Sequence, residues 1–278
     1  ADQTAVVSGG CTRHFPAAID DFGISRVARS ADWLRAGVLN QQNPGTYVTF
    51  TAQEIAVSGT VYVDDSGTPL GAGRTVRLDV NGAGAYTGTT DSSGRYSISV
   101  PAGSISSGDA LAVYLEGAAD KASTVTITDG GVLSGIDLFV DRLTVRSETA
   151  TNPSNLILEA AQSGSADILY TNVAPDVQVS GSRSLFVPAG VTFTQGDTIT
   201  SGAGSGLIIH GTFLGSSNGT HNLSFDGTVK GSGVLTGSSV SVTAGGDFTI
   251  SNYTATGGTR SVGGDWDVAS FTAGTGGV

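Results

Sequence analysis

The sequence of 278 residues contains no methionine, a single cysteine and few basic or aromatic residues. Cys11 has no partner within the chain, which excludes a small protein held together by internal disulfides. Lysine and arginine number 13 against 24 acidic residues, and the net charge of −11 disfavours binding to nucleic acid or to anionic membranes. Because no apolar run approaches the ~18 residues of a membrane-spanning helix, the sequence predicts no membrane span.

What the chain has instead is glycine, at 42 residues, together with a hydrophobic fraction of 38%. This composition is typical of a turn-rich all-β protein whose cores are built mainly from valine, isoleucine, leucine and alanine. A start at Ala1 is what signal peptidase leaves after removing an export signal. We therefore expect a secreted protein of the bacterial cell surface or extracellular space, with its signal peptide removed.

The first of three predicted regions is an irregular and partly helical segment, residues 1–54. Ser30 or Asp32 is a candidate cap for a short helix that Gly37 ends. The alternating segment Thr4–Ser8 is a candidate strand for completing the sheet of a neighbouring subunit.

The second region, residues 55–142, alternates apolar and polar residues with a period of two, as half-buried antiparallel strands do. Asp91 and Gly94 bound a predicted hairpin turn, in which the aspartate accepts backbone hydrogen bonds and the glycine takes a positive φ. The apolar positions of the predicted strands are Val57, Val61, Val63, Val76, Leu78, Val80, Tyr96, Ile98, Val100, Leu111, Val113, Leu115, Val125, Ile127, Ile136, Leu138 and Val140.

Two motifs in this region resemble the carboxypeptidase regulatory-like (transthyretin-like) family. They are Val57-Ser-Gly-Thr-Val61, similar to the opening strand of that family, and Thr90-Asp-Ser-Ser-Gly-Arg-Tyr96, similar to its hairpin. The resemblance covers about a third of the chain. It implies an Ig/transthyretin-like β-sandwich that acts as a spacer, stabiliser or binding unit and has no catalytic residues.

The third region, residues 143–278, contains short apolar pieces separated by glycine, asparagine or aspartate turns. Ile209-His-Gly-Thr-Phe213 and Phe225-Asp-Gly-Thr-Val229 share a signature in which glycine permits a sharp corner. This spacing favours a β-solenoid (β-helix-like) domain. Antiparallel sandwich strands would give similar spacing and remain the alternative. The predicted pieces include Leu156–Leu158, Ile168–Tyr170, Val177–Val179, Leu185–Val187, Val191–Thr194, Leu207–Leu214, Leu223–Val229, Val240–Thr243, Phe248–Ile250 and Trp266–Val268.

The last segment, Ser261–Val278, is similar to the repeats of very large bacterial surface proteins, which lie in regions of filamentous-haemagglutinin-type β-helix. Thr243–Ile250 resembles a degenerate copy of it, with Phe248 in place of Trp266. The resemblance implies a repeat protein that continues into further repeats or meets another subunit.

Residues with nucleophilic or zinc-binding potential are scattered. His14, His210 and His221 have no zinc-binding spacing. Cys11 lies close to His14, but a free or intermolecularly paired thiol is the favoured interpretation. The sequence thus predicts no catalytic, cofactor-binding or metal-binding residues.

Carboxylates occur in pairs at Asp20-Asp21 and Asp64-Asp65, and Asp265 and Asp267 flank Trp266. Calcium is conceivable among Asp64, Asp65 and Asp91, but side-chain capping of turns is the favoured interpretation. A polysaccharide lyase needs a base and charge-neutralising groups side by side, whereas the acids after residue 143 are single. Basic partners for these acids are nearly absent, and the candidates are Arg183, Lys230 and Arg260.

We therefore expect a non-enzymatic extracellular structural protein, a subunit of a surface filament or the stalk of a large adhesin, assembling through β-edges and solenoid ends. Its expected partners are its own copies or further repeats, with contact to a glycan or cell surface left open. The alternative is a carbohydrate-binding or polysaccharide-cleaving wall protein, for which Phe248, Tyr253 and Trp266 are a candidate sugar platform.

Overall fold

The computed structural model describes residues 30–32, residue 35 and residues 54–273. The last of these ranges lies within one compact, all-β unit that includes a single short helix. Its elements in chain order are β1 (Ile55–Tyr62), β2 (Thr75–Val80), β3 (Ala83–Thr89), β4 (Arg95–Val100), β5 (Ala110–Leu115), β6 (Ser123–Ile127), β7 (Leu138–Phe139), β8 (Arg142–Val145), α1 (Asn155–Ala161), β9 (Tyr170–Val173), β10 (Asp176–Val179), β11 (Ser184–Val187), β12 (Thr192–Thr194), β13 (Ile199–Ser201), β14 (Gly206–Ile209), β15 (Thr212–Leu214), β16 (Asn222–Phe225), β17 (Val229–Ser238), β18 (Ser241–Ala244), β19 (Phe248–Ala255), β20 (Arg260–Val262) and β21 (Trp266–Ala273).

Near the N-terminus, Ala31, Asp32 and Arg35 have helical backbone conformation, in the place where the sequence predicts a short helix. Its predicted end at Gly37 falls outside the described residues. So do the candidate assembly strand and the candidate thiol, Thr4–Ser8 and Cys11.

Two sheets enclose the first apolar core. A 3-stranded sheet in the order β4-β1-β7 lies over strands β2 and β5, near one end of a 12-stranded sheet. Val57 and Ile98 from the smaller sheet meet Leu78, Leu111 and Val113 from the larger one, and all five are fully buried. Strand β4 alternates exposed and buried residues without interruption, as the period-two pattern predicts.

The predicted turn is present between β3 and β4, but these strands pair with β2 and β1 in different sheets, so the turn is a corner between sheets and the prediction of a hairpin is wrong. Asp91 Oδ1 accepts the backbone N–H groups of Ser93 and Arg95 at 2.8 and 2.9 Å. Gly94 has a φ of 72°, which a side chain would oppose. The turn therefore forms through the residue types that the sequence pattern indicates.

The C-terminal part is a β-solenoid with parallel stacking between successive turns, rather than the antiparallel alternative. Leu185, Leu207, Val229 and Phe248 lie in one inward column and are fully buried. Stacked residues of the earlier turns are mostly 22 positions apart, as for Ser232 over His210, with 20 between β12 and β15 and 24 between β13 and β16. The distance falls to 18 in the last described turn. The first face contains β8, β11, β14, and the first parts of β17, β19 and β21; the second contains β12, β15 and the later parts of β17, β19 and β21; the third contains β10, β13, β16, β18 and β20.

Glycine permits the close corners between faces, as the repeated signature predicts. At the corner between β14 and β15, a Cβ on Gly211 would lie 2.2 Å from the Val191 carbonyl oxygen and 2.3 Å from that of Pro188. Both atoms are backbone of the preceding turn, so neither can move aside without separating the turns. A side chain at this corner is therefore incompatible with the stack.

The strand predicted at Leu156–Leu158 is wrong, because these residues lie in helix α1. A strand would bury Leu156 and Leu158 on the same face, but Leu156 is 68% exposed while Leu158 is 1% exposed. Asn155, Leu158 and Ala161 follow the helical spacing of three and form the buried face. Since Leu158 and Ala161 belong to the solenoid core, α1 covers one end of the solenoid interior.

One continuous sheet connects the two-sheet part to the solenoid. Strand β6 pairs antiparallel with β5 on one side and parallel with β8 on the other, and β8 pairs with β11. Every residue of β5 and β6 is buried, so both faces of these strands are covered. The backbone hydrogen bonds of the first core therefore continue without a break into the second.

Candidate functional sites

The last described turn of the solenoid has one open edge. Strand β21 pairs with β19, and within residues 54–273 no strand pairs with its other side. Trp266 and Phe271 are 44% and 45% exposed, and most residues of the strand are exposed as well. This surface combines unpaired backbone groups with large apolar side chains, which is the composition of a β-pairing interface.

The aromatic residues of this turn stack on those of the turn before. Phe248 and Trp266 have ring centroids 4.6 Å apart and planes 7° from parallel, and Tyr253 lies 5.7 Å from Phe271. The pairing of Phe248 with Trp266 is the alignment that the two similar sequence segments predict. Phe248 and Tyr253 are buried, so of the candidate sugar platform only Trp266 is substantially exposed.

A second cluster lies where turns enter the third face of the solenoid. Asp176 begins β10, and Asp197 and His221 shortly precede the stacked strands β13 and β16. His221 Nε2 is 3.5 Å from Asp197 Oδ1. Burial, a hydrogen bond with Asp197 and the negative charge of that residue together raise the pKa of Asp176. The cluster thus pairs a carboxyl that retains its proton more readily with a carboxylate beside a histidine.

Polar side chains hold this cluster in place. Ser216 Oγ and Asn218 Nδ2 each lie 3.0 Å from a ring nitrogen of His221. Gln195 Nε2 donates to the backbone oxygen of Asp197 at 2.9 Å, and Asn155 Oδ1 accepts the N–H of the intervening Gly196. Sequence spacing alone does not reveal this cluster, since the three residues converge only once the register of the turns is known.

A cavity of about 320 Å³ lies where the two-sheet part meets the solenoid. Its apolar wall includes Phe139 and Phe186, whose rings meet edge to face at 5.6 Å. These rings belong to an aromatic row that continues to Tyr62 on one side and His210 on the other. The full lining is Gly135, Asp137, Phe139, Thr144, Arg146, Ser147, Phe186, Pro188, Ala189 and Val191.

The cavity is also lined by polar groups whose hydrogen-bonding capacity is not fully used. Thr144 is 2% exposed, and its hydroxyl has no hydrogen-bond partner among the described residues. Asp137 Oδ1 accepts the N–H of Thr60 at 2.9 Å, which leaves its second oxygen as an acceptor. Arg146 donates through Nε to Glu148 at 2.6 Å and through Nη1 to the Gly135 carbonyl, which leaves Nη2 as a donor.

The other carboxylates singled out in the sequence have structural partners. Asp64 Oδ1 accepts the N–H of Ser66 at 2.9 Å, and hydrogen bonds from that residue lower the pKa of Asp64. Asp65 pairs with Arg142 at 3.3 Å and lies 3.9 Å from His210 Nε2. Across the described ranges, no group of three or more histidine, cysteine or acidic residues is arranged to hold a metal ion.

Compared with known proteins, the chain matches no family model, no curated protein and no solved structure. The fold defines an all-β protein with a C-terminal β-solenoid. No helix in the part of the chain that the structure describes is both long and apolar enough to span a bilayer.

Proposed function

We propose that the protein is a non-enzymatic structural component of the bacterial cell surface, a subunit of an extracellular filament or the stalk of a large adhesin. In this proposal a further β-strand pairs with β21 and lengthens the solenoid. The observation that carries the proposal is the edge at β21, where Trp266 and Phe271 are exposed beside unpaired backbone groups. Closed solenoid ends are normally capped or polar, and an apolar end favours continued stacking.

The finer assignment of the two-sheet part as a transthyretin-like spacer belongs to the same proposal. It is supported by the Asp91–Gly94 turn and by the first apolar core between two sheets. The link to haemagglutinin-type repeats is supported by the stacked register of Phe248 and Trp266. A spacer domain followed by a β-solenoid suits the stalk of a surface protein, which holds other domains at a distance from the cell.

Self-association tests the filament form of this proposal. We expect concentration-dependent assembly of the full chain in analytical ultracentrifugation, and filaments by negative-stain microscopy. Replacing both Trp266 and Phe271 by lysine should keep the protein monomeric, because the charged side chains oppose pairing. The matched control is Val132→Lys, which changes a 64% exposed valine in the two-sheet part. A wild-type chain that stays monomeric at every concentration contradicts the filament.

Extension of the chain tests the stalk form. Repeating residues 256–273 once after residue 273 should raise the free energy of unfolding, because the new turn covers Trp266 and Phe271. A second extended chain, carrying lysine at both repeated aromatic positions, controls for length alone. Equal stability of the two extended chains would contradict stacking on this edge.

The alternative, polysaccharide cleavage, is favoured by one observation, the proximity of Asp176, Asp197 and His221. Glycoside hydrolysis uses a protonated carboxyl as acid and a second carboxylate as base or nucleophile. Release of reducing ends from a polymer such as polygalacturonate, abolished by Asp197→Asn, would favour the enzyme. Absence of release with every wall polymer tried, alongside filament assembly, would favour the structural role.

A further inference from the structure

We propose that the cavity between the two-sheet part and the solenoid binds a neutral sugar ring. The cavity, bounded by Phe139, Phe186, Thr144, Asp137 and Arg146, lies apart from the edge at β21. The inference therefore does not depend on filament assembly and can fail or hold separately from it.

The size of the cavity fits one small ligand. Its volume of about 320 Å³ lies at the lower end of the ~300–1,000 Å³ typical of ligand pockets. Such pockets combine a mostly apolar lining with a few convergent polar groups, and this cavity has both. One sugar unit, free or at the end of a glycan, matches that size.

The unpartnered hydroxyl of Thr144 indicates that a ligand completes the site. A buried polar group without a hydrogen bond is costly, and natural proteins contain few of them. Thr144 lines the cavity from the outward side of β8, between the inward Leu143 and Val145. This hydroxyl has almost no accessible surface, so a ligand hydroxyl can donate to it or accept from it only after Thr144 rotates about χ1 toward the cavity.

The charges on the walls select a neutral ligand. Asp137 and Arg146 place one negative and one positive group at the same cavity, and they form no ion pair with each other within residues 54–273. An anionic ligand would meet the Asp137 carboxylate, and the Arg146 guanidinium, already paired with Glu148, would attract it little. Adjacent hydroxyl groups, by contrast, can donate to the free Asp137 oxygen and accept from Arg146 Nη2.

The aromatic wall supplies the remaining part of the recognition. A sugar ring has an apolar face of C–H groups, which packs against the face or edge of an aromatic side chain. Phe139 is half-buried and Phe186 is 5% exposed, so both rings are held in place by their neighbours. Arg142 lies 5.8 Å from the Phe186 centroid and further restrains that ring.

The test is calorimetric titration of the full chain with glucose, galactose and mannose, and with glucuronate as the anionic probe. For a ligand of this size we expect dissociation constants in the roughly millimolar range. Glucuronate should bind more weakly than every neutral sugar that binds. A glycan array then distinguishes a terminal sugar unit, which is bound there too, from a free monosaccharide, which alone gives a signal.

Two variants localise the binding. Thr144→Val removes the hydroxyl at nearly constant shape and should weaken sugar binding about 5- to 10-fold without lowering the thermal midpoint. Asp137→Asn keeps an acceptor for the Thr60 N–H and should weaken binding about 10-fold. The control is Thr249→Val, which changes an exposed threonine in the same outward column.

Three results would overturn the inference. The first is no heat and no nuclear magnetic resonance saturation transfer from any neutral sugar at tens of millimolar. The second is binding that Thr144→Val and Asp137→Asn leave unchanged. The third is equal loss of binding in Thr249→Val, which would place the site elsewhere. Tighter binding of glucuronate, or of a zwitterionic amino acid, would also contradict the charge argument.

Discussion

Phe248 and Trp266 stack face to face on consecutive turns of the solenoid, with ring centroids 4.6 Å apart. Phe248 is fully buried by this contact, while Trp266 remains 44% exposed. The inner ring of this pair therefore lies beneath the last described turn, whereas no described turn covers the outer ring. The loss of stability from removing an aromatic side chain should therefore depend on how far its turn lies from the open edge.

We expect Phe248→Ala to lower the free energy of unfolding by about 3–5 kcal/mol, because it empties a buried site. Trp266→Ala should cost only about 2 kcal/mol, since nearly half of the side chain is already in water. Urea unfolding followed by circular dichroism measures both. Equal losses would show that the column does not weaken toward the open edge.

Asp79 links β2 to β5 through the Tyr114 hydroxyl and forms an ion pair with Arg77 within β2. Asp79 is fully buried, and it accepts hydrogen bonds from Arg77 Nε and the Tyr114 hydroxyl, both at 2.8 Å. Asp79→Ala should lower the free energy of unfolding by about 2–3 kcal/mol, because it removes the acceptor of the buried Tyr114 hydroxyl and one partner of Arg77, which keeps Glu116. The matched control is the more exposed pair of Arg74 and Asp120. Asp120→Ala should cost less than about 1 kcal/mol.

Gly59 belongs to the motif that resembles the transthyretin-like opening strand. A Cβ at this position would lie 2.2 Å from the Ile136 carbonyl oxygen, which also accepts a hydrogen bond from the Tyr96 hydroxyl. Gly59→Ala should therefore push β1 away from the backbone at Ile136 and lower the free energy of unfolding by about 2–3 kcal/mol. Gly196→Ala, where a Cβ would meet open space, should be neutral by thermal unfolding. A neutral Gly59→Ala would contradict the close approach.

The raised pKa of Tyr253 leads us to expect a loss of stability at alkaline pH. Burial raises its pKa to about 12 from an ordinary value of 10.0, although Arg260 over the ring acts in the opposite direction. Below pH 10 both folded and unfolded states keep the proton. Between about pH 10 and 12 only the unfolded state ionises, so stability falls by about 1.4 kcal/mol for each pH unit.

Tyr253→Phe isolates this contribution. The hydroxyl lies near the Arg260 guanidinium without a well-formed hydrogen bond, so the variant should be close to the wild type in stability at pH 7. Above pH 10 its stability should decline less steeply than that of the wild type. Burial also raises the pKa of Tyr96 and of Tyr170, and these residues titrate in both proteins. Identical slopes in denaturation curves collected from pH 8 to 12 would contradict the prediction.

Local patterns in the sequence predict much of the fold because they depend on neighbouring residues. The alternation in β4 and the turn at Asp91–Gly94 are both present in the structure. The alignment of Phe248 with Trp266 gives the stacking register of the last turns. The pattern fails at Leu156–Leu158, where a short apolar run fits a strand and a helix equally well and burial decides.

The histidine–aspartate cluster and the cavity depend on contacts between distant residues, and the sequence predicts neither. Asp176, Asp197 and His221 meet because three turns happen to be stacked in register. The cavity requires Phe139 from β7 to lie against Phe186 of the solenoid, which follows from the pairing of β6 with β8. No periodicity specifies which strand continues a sheet across two cores.

The shared sheet and its stacked turns also determine how the molecule would respond to tension. Hydrogen bonds between turns run along the stack, so a pull on the chain beyond β21 loads one turn at a time. Each turn of 18 residues that peels away releases roughly 60 Å of extended chain. Strands β5 and β6, which are covered on both faces, would separate last. In the proposed stalk, the chain would therefore lengthen in steps as successive turns detach.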